Sequence, residues 1–182
     1  MLLQWSAPEY MPHSFQVSGL SGTVGHKQTG NCFDLTKQVA DGFVGMQELS
    51  KGLFLVQSEM DFKQETELCE EYSKRSLFQL SFCMNGICEW DYQEKRGEHY
   101  QLSPTQCSLQ CGTFSKCVSH FSSEQPYRTL SISLEQERFP PLSEDLEAAH
   151  LIRRDDKICT HVFSTTPEIR LVLQQLLDCP PE

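Results

Sequence analysis

Cys107, Cys111, Cys117 and His120 fall within fourteen positions, in the pattern C-x3-C-x5-C-x2-H. Soft thiolates beside one imidazole suit zinc or an iron–sulfur cluster, so these four are candidate metal ligands. A turn over Gly112 to Lys116 would bring Cys111 and Cys117 together, with Cys107 and His120 further down the same ladder. Two features work against convergence: the spacing is not that of a common structural zinc motif, and strand residues alternate faces. Buried thiols acting as small apolar side chains account for the same residues without a metal. Cys83 and Cys88 form a second candidate pair. Across a two-residue turn their Cβ atoms would lie about 4.5–5.5 Å apart, slightly long for a disulfide. A reducing compartment keeps them as thiols, with a redox switch as the alternative.

Patterns for catalysis are absent. The six histidines, His13, His26, His99, His120, His150 and His161, include no H-x-H pair. No H-E-x-x-H, G-x-S-x-G or Walker sequence occurs either, so no catalytic residue is assigned. Nine cysteines without a signal peptide is an odd number, which argues against a disulfide framework.

A candidate binding surface lies in Leu77 to Gln93, LFQLSFCMNGICEWDYQ. Asn85-Gly86 is a strong signal for a two-residue hairpin, because both turn positions need φ > 0. A hairpin centred there would oppose Met84 to Ile87, Cys83 to Cys88, Ser81 to Trp90 and Gln79 to Tyr92. Period-two alternation puts Phe78, Leu80, Phe82, Met84 and Ile87 on one face, suited to packing against another layer. The other face carries Gln79, Ser81, Cys83, Cys88, Trp90 and Tyr92, aromatic bodies among hydrogen-bonding tips. Such a mixture suits a ligand pocket, and Gln79, Ser81, Trp90 and Tyr92 are the expected ligand-binding residues. An ordinary half-exposed sheet face would have the same composition.

The elements around this stretch read as an all-β barrel or sandwich with helices at the end. Leu53 to Phe62 alternates as a strand. Short strands follow at 98–102, 106–110, 116–121 and 128–134, separated by turn signals at fairly even spacing. Residues 1–51 read as an N-terminal arm, with an edge strand at Phe15 to Val17 and a short helix allowed by Leu35, Val39 and Phe43. Residues 52–139 read as the barrel, and 140–182 as a helical region. There Ser143 is a plausible N-cap, and Lys157 to Phe163 reads as one more strand. Thr166-Pro167 starts a helix in which Ile169, Val172, Leu173 and Leu176 form an apolar stripe. Leu177 and Leu171 sit at the edge of that stripe and are the expected dimerisation residues.

With 182 residues the chain suits one domain, and its formal net charge of −10 repels phosphate backbones. No secretory signal and no stretch long enough to span a membrane is visible, so a cytoplasmic location is expected.

The strand GLFLVQSEMDF, the stretch LFQLSFCMNGICEW, the strand RTLSISLEQERF and the terminal TPEIRLVLQQLLDCP resemble the N-terminal sensory domain of AraC-type transcriptional regulators, in the PchR-like branch. The resemblance covers roughly Gly52 to Cys179, with LSFCMNG and LLDCP its more specific parts. It implies a cupin-like double-stranded β-helix that senses a small molecule, possible homodimerisation through the C-terminal helix, and DNA binding by a separate basic domain. No basic helix pair occurs in these residues, so DNA is expected to be met only through a domain that this chain lacks. The branch is associated with ferric siderophores, so an iron–siderophore complex is the ligand class implied. No ligand residue carries over by motif. Two alternatives stay open: a cysteine-ligated metal or iron–sulfur redox sensor on this scaffold, and a small cupin enzyme, against which the missing H-x-H pair weighs.

Overall fold

The structure, a computed structural model, describes residues 2–4, 14–17, 27–29, 32–34, 40–71, 76–92, 97–113, 116–152 and 158–178. The first strands are β1 (Leu2–Gln4), β2 (Ser14–Val17), β3 (Lys27–Thr29), β4 (Cys32–Asp34), β5 (Ala40–Ser50), β6 (Leu53–Phe62) and β7 (Thr66–Glu71). They are followed by β8 (Ser76–Asn85), β9 (Cys88–Tyr92), β10 (His99–Leu102), β11 (Gln106–Thr113), β12 (Lys116–Phe121) and β13 (Tyr127–Glu135). Helix α1 (Pro140–Ala148), strand β14 (Ile158–Ser164) and helix α2 (Pro167–Asp178) complete the order.

Two antiparallel sheets result. One has the order β1-β2-β7-β12-β9-β10, the other β14-β11-β8-β13-β6-β5-β4-β3. From β6 to β13 the chain passes back and forth between them, with only β9 and β10 consecutive in one sheet. This is the cupin-like double-stranded β-helix that the resemblance implies. Between the sheets packs a cluster that includes Met60, Phe62, Leu77, Cys83, Trp90, Tyr92, Phe121 and Tyr127.

Crossing between sheets overturns the expected hairpin. β8 pairs with β11 and β13, while β9 pairs with β10 and β12. None of the four opposed pairs across Asn85-Gly86 forms. Gly86 does have a positive φ of 77°, but it turns the chain into the other sheet rather than back along its own. The corner is held against Pro126, whose carbonyl accepts from Asn85 Nδ2 at 2.7 Å. A Cβ on Gly86 would come within 2.8 Å of that same oxygen. The turn expected between Cys111 and Cys117 fails for the same reason, since β11 and β12 lie in different sheets.

The sorting of side chains by face survives, because alternation does not depend on which strand is the neighbour. Phe82 packs outside the barrel with Cys107, Leu130 and Leu173, joined by Leu80 and Met84. Phe78 packs with Cys111 and Ile152 beneath Leu142 and Leu146 of α1. Ile87, expected on that face, lies in the crossing and is exposed.

The sheet reaches beyond residues 52–139 on both sides. β5 pairs along β6 from Ala40, and β14 pairs along β11. Phe43 thus lies in a strand rather than the short helix allowed by Leu35, Val39 and Phe43, whose residues 35–39 lie outside the described residues. The edge strand expected at Phe15 to Val17 appears as β2, flanked on both sides by β1 and β7. α1 begins at Pro140 rather than after Ser143, with proline in its first turn, where a missing N–H leaves no bond unmade. α2 starts as the sequence predicts, with Thr166 Oγ1 accepting from the Ile169 backbone N–H at 3.4 Å. Its buried side differs from expectation. Leu173 is buried and Leu177 packs beside it on the barrel. Ile169, Val172 and Leu176, expected to be covered, are exposed together with Leu171.

Candidate functional site

Directly opposed residues in neighbouring strands share a face, so the ladder registers define rows of side chains across the eight-stranded sheet. One inner row reads Thr160, Gln110, Gln79, Ser133, Phe54. The next reads Val162, Ser108, Ser81, Ser131, Val56, and a third Cys83, Thr129, Ser58. Hydroxyls and amides dominate these rows and bond to one another. Ser131 Oγ donates to Ser81 Oγ at 2.9 Å. Gln79 Nε2 donates to Ser81 Oγ at 3.2 Å, and Gln110 Nε2 to Ser108 Oγ at the same distance. Gln79, Gln110 and Ser133 keep partial exposure although they face the interior.

The opposite wall comes from the six-stranded sheet and is aromatic. Trp90 stacks on Tyr100 with ring centroids 5.6 Å apart, and Tyr92 meets Tyr100 edge-on at 5.7 Å. The Tyr92 hydroxyl spans the barrel and donates to Gln110 Oε1 at 2.5 Å. Burial pushes the Tyr92 phenol well above its ordinary range, and the Cys117 thiol adds to this, so the hydroxyl stays a donor. Trp90 Nε1 and Thr160 Oγ1 are buried without a hydrogen-bond partner. Both are near enough to influence the Tyr92 oxygen, yet neither is in bonding geometry with it. Gln79, Ser81, Trp90 and Tyr92, picked from the sequence, therefore all face one interior, although from two sheets rather than one hairpin.

The four candidate metal ligands are not brought together. Cys107 lies outside the barrel against Leu173, Cys111 outside it near α1, and Cys117 in the interior. His120 is on the outer face of the six-stranded sheet, where its Nε2 lies 3.0 Å from Asp91 Oδ2. Among the described residues no group of three or more histidines, cysteines or acids is arranged to hold a metal ion. Strand alternation and the sheet crossing between Cys111 and Cys117 together disperse the set. Cys83 and Cys88 both face the interior as thiols. Burial pushes the Cys83 thiol up to about 11, against a smaller lowering pull from a backbone hydrogen bond with Asn85.

A family model for the regulatory protein PchR N-terminal domain matches residues 41–182. The chain belongs to that family. Its AraC-type character, suggested by the sequence, is thereby shown. The crystal structure of the AraC-like transcriptional activator CuxR is similar, with a TM-score of 0.51 and 10% identity. The match covers 90% of this chain and 50% of CuxR, so this chain spans about half of that protein's length. The nickel(II) complex of the bacterial pirin YhhW from Escherichia coli matches with a TM-score of 0.43 and 10% identity over 79% of this chain and 55% of its own. ToxT from Vibrio cholerae matches at 0.38 and 11% identity, over 66% and 49%. No curated protein matches the sequence.

In this PchR-type domain the interior contains residues that the sequence reading did not single out: Tyr100, Ser108, Gln110, Ser131 and Thr160. One signal was present. Residues 129–134, TLSISL, alternate hydroxyl and aliphatic side chains as cleanly as Gln79 to Phe82 do. The stretch 107–111 alternates too, but its cysteines drew attention to the face that turns outward. An open groove of 370 Å³ beside α1 contains Glu137, Glu144 and Glu147. It lies apart from the polar interior and contains none of the expected ligand residues. Among the described residues, no helix is long and apolar enough to cross a membrane.

Proposed function

We propose that this domain senses a small-molecule effector inside its barrel and passes the signal to a DNA-binding domain outside this chain. The unpartnered Trp90 N–H carries the reading. A buried donor without a partner costs about 1–3 kcal/mol, and here it faces an interior that already has polar partners on the opposite wall. A bound acceptor would remove that penalty. From β14 to β6 the three rows contain no Asp, Glu, Lys, Arg or His, with Glu48 beside Phe54 and Glu135 beside Leu77 at their margins, so the centre of this wall suits a ligand without strong net charge. An aromatic wall over a hydroxyl-and-amide floor fits a flat chelator wrapped around its metal, in keeping with an iron–siderophore complex. Family membership favours regulation over catalysis.

We further propose that the exposed side of α2, Ile169, Val172 and Leu176 with Leu171, meets a second copy of the domain. These positions recur at i, i+3 and i+7, the spacing of a helix–helix seam.

The test uses a Trp5→Phe background, which leaves Trp90 as the sole indole. Titration with ferric aromatic siderophores should give saturable quenching of Trp90 emission. Tyr92→Phe and Ser81→Ala should each weaken binding about tenfold, the loss of one buried hydrogen bond. Binding of uncharged metal-free molecules but not of ferric chelates would drop the siderophore and keep the sensor. An interior that no small molecule enters would end the sensing proposal.

A further inference from the structure

Cys159 of β14 lies directly across the antiparallel ladder from Cys111 of β11, on the outer face of the eight-stranded sheet. Opposed Cα atoms in such a ladder are about 4.5–5.5 Å apart, inside the span of about 4.4–6.8 Å that a disulfide bridges. The Cα spacing admits a bond that the structure does not contain, since both residues are thiols. The Cys111 sulfur is turned toward the neighbouring strand, 3.7 Å from the Cys159 carbonyl oxygen.

The two cysteines differ in access and in neighbours. Cys111 is buried, whereas Cys159 is partly exposed. Cys159 Sγ lies 3.1 Å from His161 Nε2 and 3.2 Å from the Leu151 carbonyl oxygen. His161 Nε2 is itself 2.6 Å from that oxygen. A carbonyl only accepts, so the proton is assigned to Nε2 and points at that oxygen, which also accepts from the Cys159 S–H. Once the thiol is deprotonated, the N–H 3.1 Å away can turn toward the sulfur. It is placed to hold the negative charge that appears when the thiol loses its proton. Such pairing with a hydrogen-bond donor is what makes a cysteine a nucleophile.

We propose that Cys159 and Cys111 form a hydroperoxide-reactive thiol pair, with Cys159 attacking, Cys111 resolving and His161 positioning the attacking sulfur. The Cys159 thiol gives its proton to solvent. Its thiolate attacks one peroxide oxygen, an S–O bond forms, the O–O bond breaks, and the leaving hydroxide takes up a proton as water. The Cys111 sulfur then attacks the sulfenic sulfur of Cys159. The S–S bond forms, the S–O bond breaks, and the departing oxygen leaves as water with the Cys111 proton. Two thiols are oxidised, and one peroxide is reduced to two waters.

Other described cysteines lack these features. Cys83 is buried against the carbonyls of Asn85 and Gly86, and Cys107 stands opposite Phe163 rather than a thiol. The Cys111–Cys159 pair packs with Leu142 and Leu146 of α1 and with Ile152. Joining the sulfurs changes the surface on which α1 rests, close to the strand that leads into α2. The inference stands apart from the effector reading, because the pair lies outside the barrel.

The test treats the reduced 182-residue protein with a few equivalents of hydrogen peroxide, then alkylates and digests it with trypsin. The expected product joins peptide 97–116 to peptide 158–170, and it persists in Cys107→Ser, which leaves Cys111 as the only cysteine of the first peptide. Cys159→Ser should abolish the cross-link. Cys111→Ser should instead leave a sulfenic acid at Cys159 that dimedone traps. His161→Phe should slow the first step about tenfold, the loss of a hydrogen bond to a charged group, while the thiol count of the untreated protein stays unchanged. A peroxide-treated wild-type protein without the 111–159 link, or a Cys111→Ser protein in which dimedone fails to label Cys159, overturns the proposal.

Discussion

Asp91 bonds two imidazoles at once, through Oδ1 to His99 Nδ1 and through Oδ2 to His120 Nε2, each at 3.0 Å. Burial acts to raise its carboxyl pKa, but the hydrogen bonds from His99 and His120, aided by their charge, outweigh this and hold it below the usual carboxylate range. A carboxyl whose folded pKa is depressed contributes stability above its ordinary value of 3.8, and loses it as pH falls through the lower folded value. The side chain is 43% exposed, so solvent screening limits the effect to ~0.2–1 kcal/mol. Asp91→Asn should therefore melt slightly below wild type near neutral pH. The gap should close as pH falls through the depressed pKa of the folded Asp91 carboxyl, below its ordinary 3.8, where both proteins have an uncharged side chain. Parallel melts across that range check it, and a gap that persists in acid would mean that packing, not charge, is the role of Asp91.

At the scale of an element, α2 divides its apolar residues between two surfaces. Leu173 is 4% exposed and Leu177 adjoins it, so the barrel holds the helix mainly through these two. Leu173→Ala should cost about 2–5 kcal/mol, as large-to-small changes in a core do. Leu177→Glu should destabilise the domain for the same reason, although its position at the edge of the stripe suggests a partner-facing role. Leu171 and Val172 are 62% and 54% exposed. Leu171→Glu and Val172→Glu should leave the melting temperature near wild type and shift the mass in solution from dimer to monomer. Light scattering beside thermal melts separates the outcomes, and a wild type that is monomeric at high concentration removes the dimer.

At the scale of the molecule, acidic charge and the β-barrel of the described residues argue against direct reading of DNA by this segment. The formal charge of −10 repels a duplex. α1 and α2 are docked on a sheet rather than paired as a recognition unit. Residues 1–182 should show no salt-sensitive binding to any promoter fragment in a mobility shift. A specific complex formed by this chain alone would require a different output from the one proposed.

Alternation and caps were legible in the sequence, because both are set within a few residues of chain. Gln79 and Ser81 face opposite to Phe78, Leu80 and Phe82 whatever strand lies beside them. Thr166-Pro167 starts α2 because the first-turn donors need an acceptor and proline needs no partner there. Tertiary structure alone decided the neighbours. Asn85-Gly86 has the chemistry of a hairpin turn, and it became a corner between sheets because β8 found β11 and β13, whose backbone groups pair as well as those of β9. Likewise α2 had apolar residues on more than one side, and only docking chose Leu173 and Leu177 over Ile169, Val172 and Leu176. Cys111 and Cys159 are 48 residues apart in the chain. No spacing rule joins them, and only the ladder between β11 and β14 sets one thiol opposite the other.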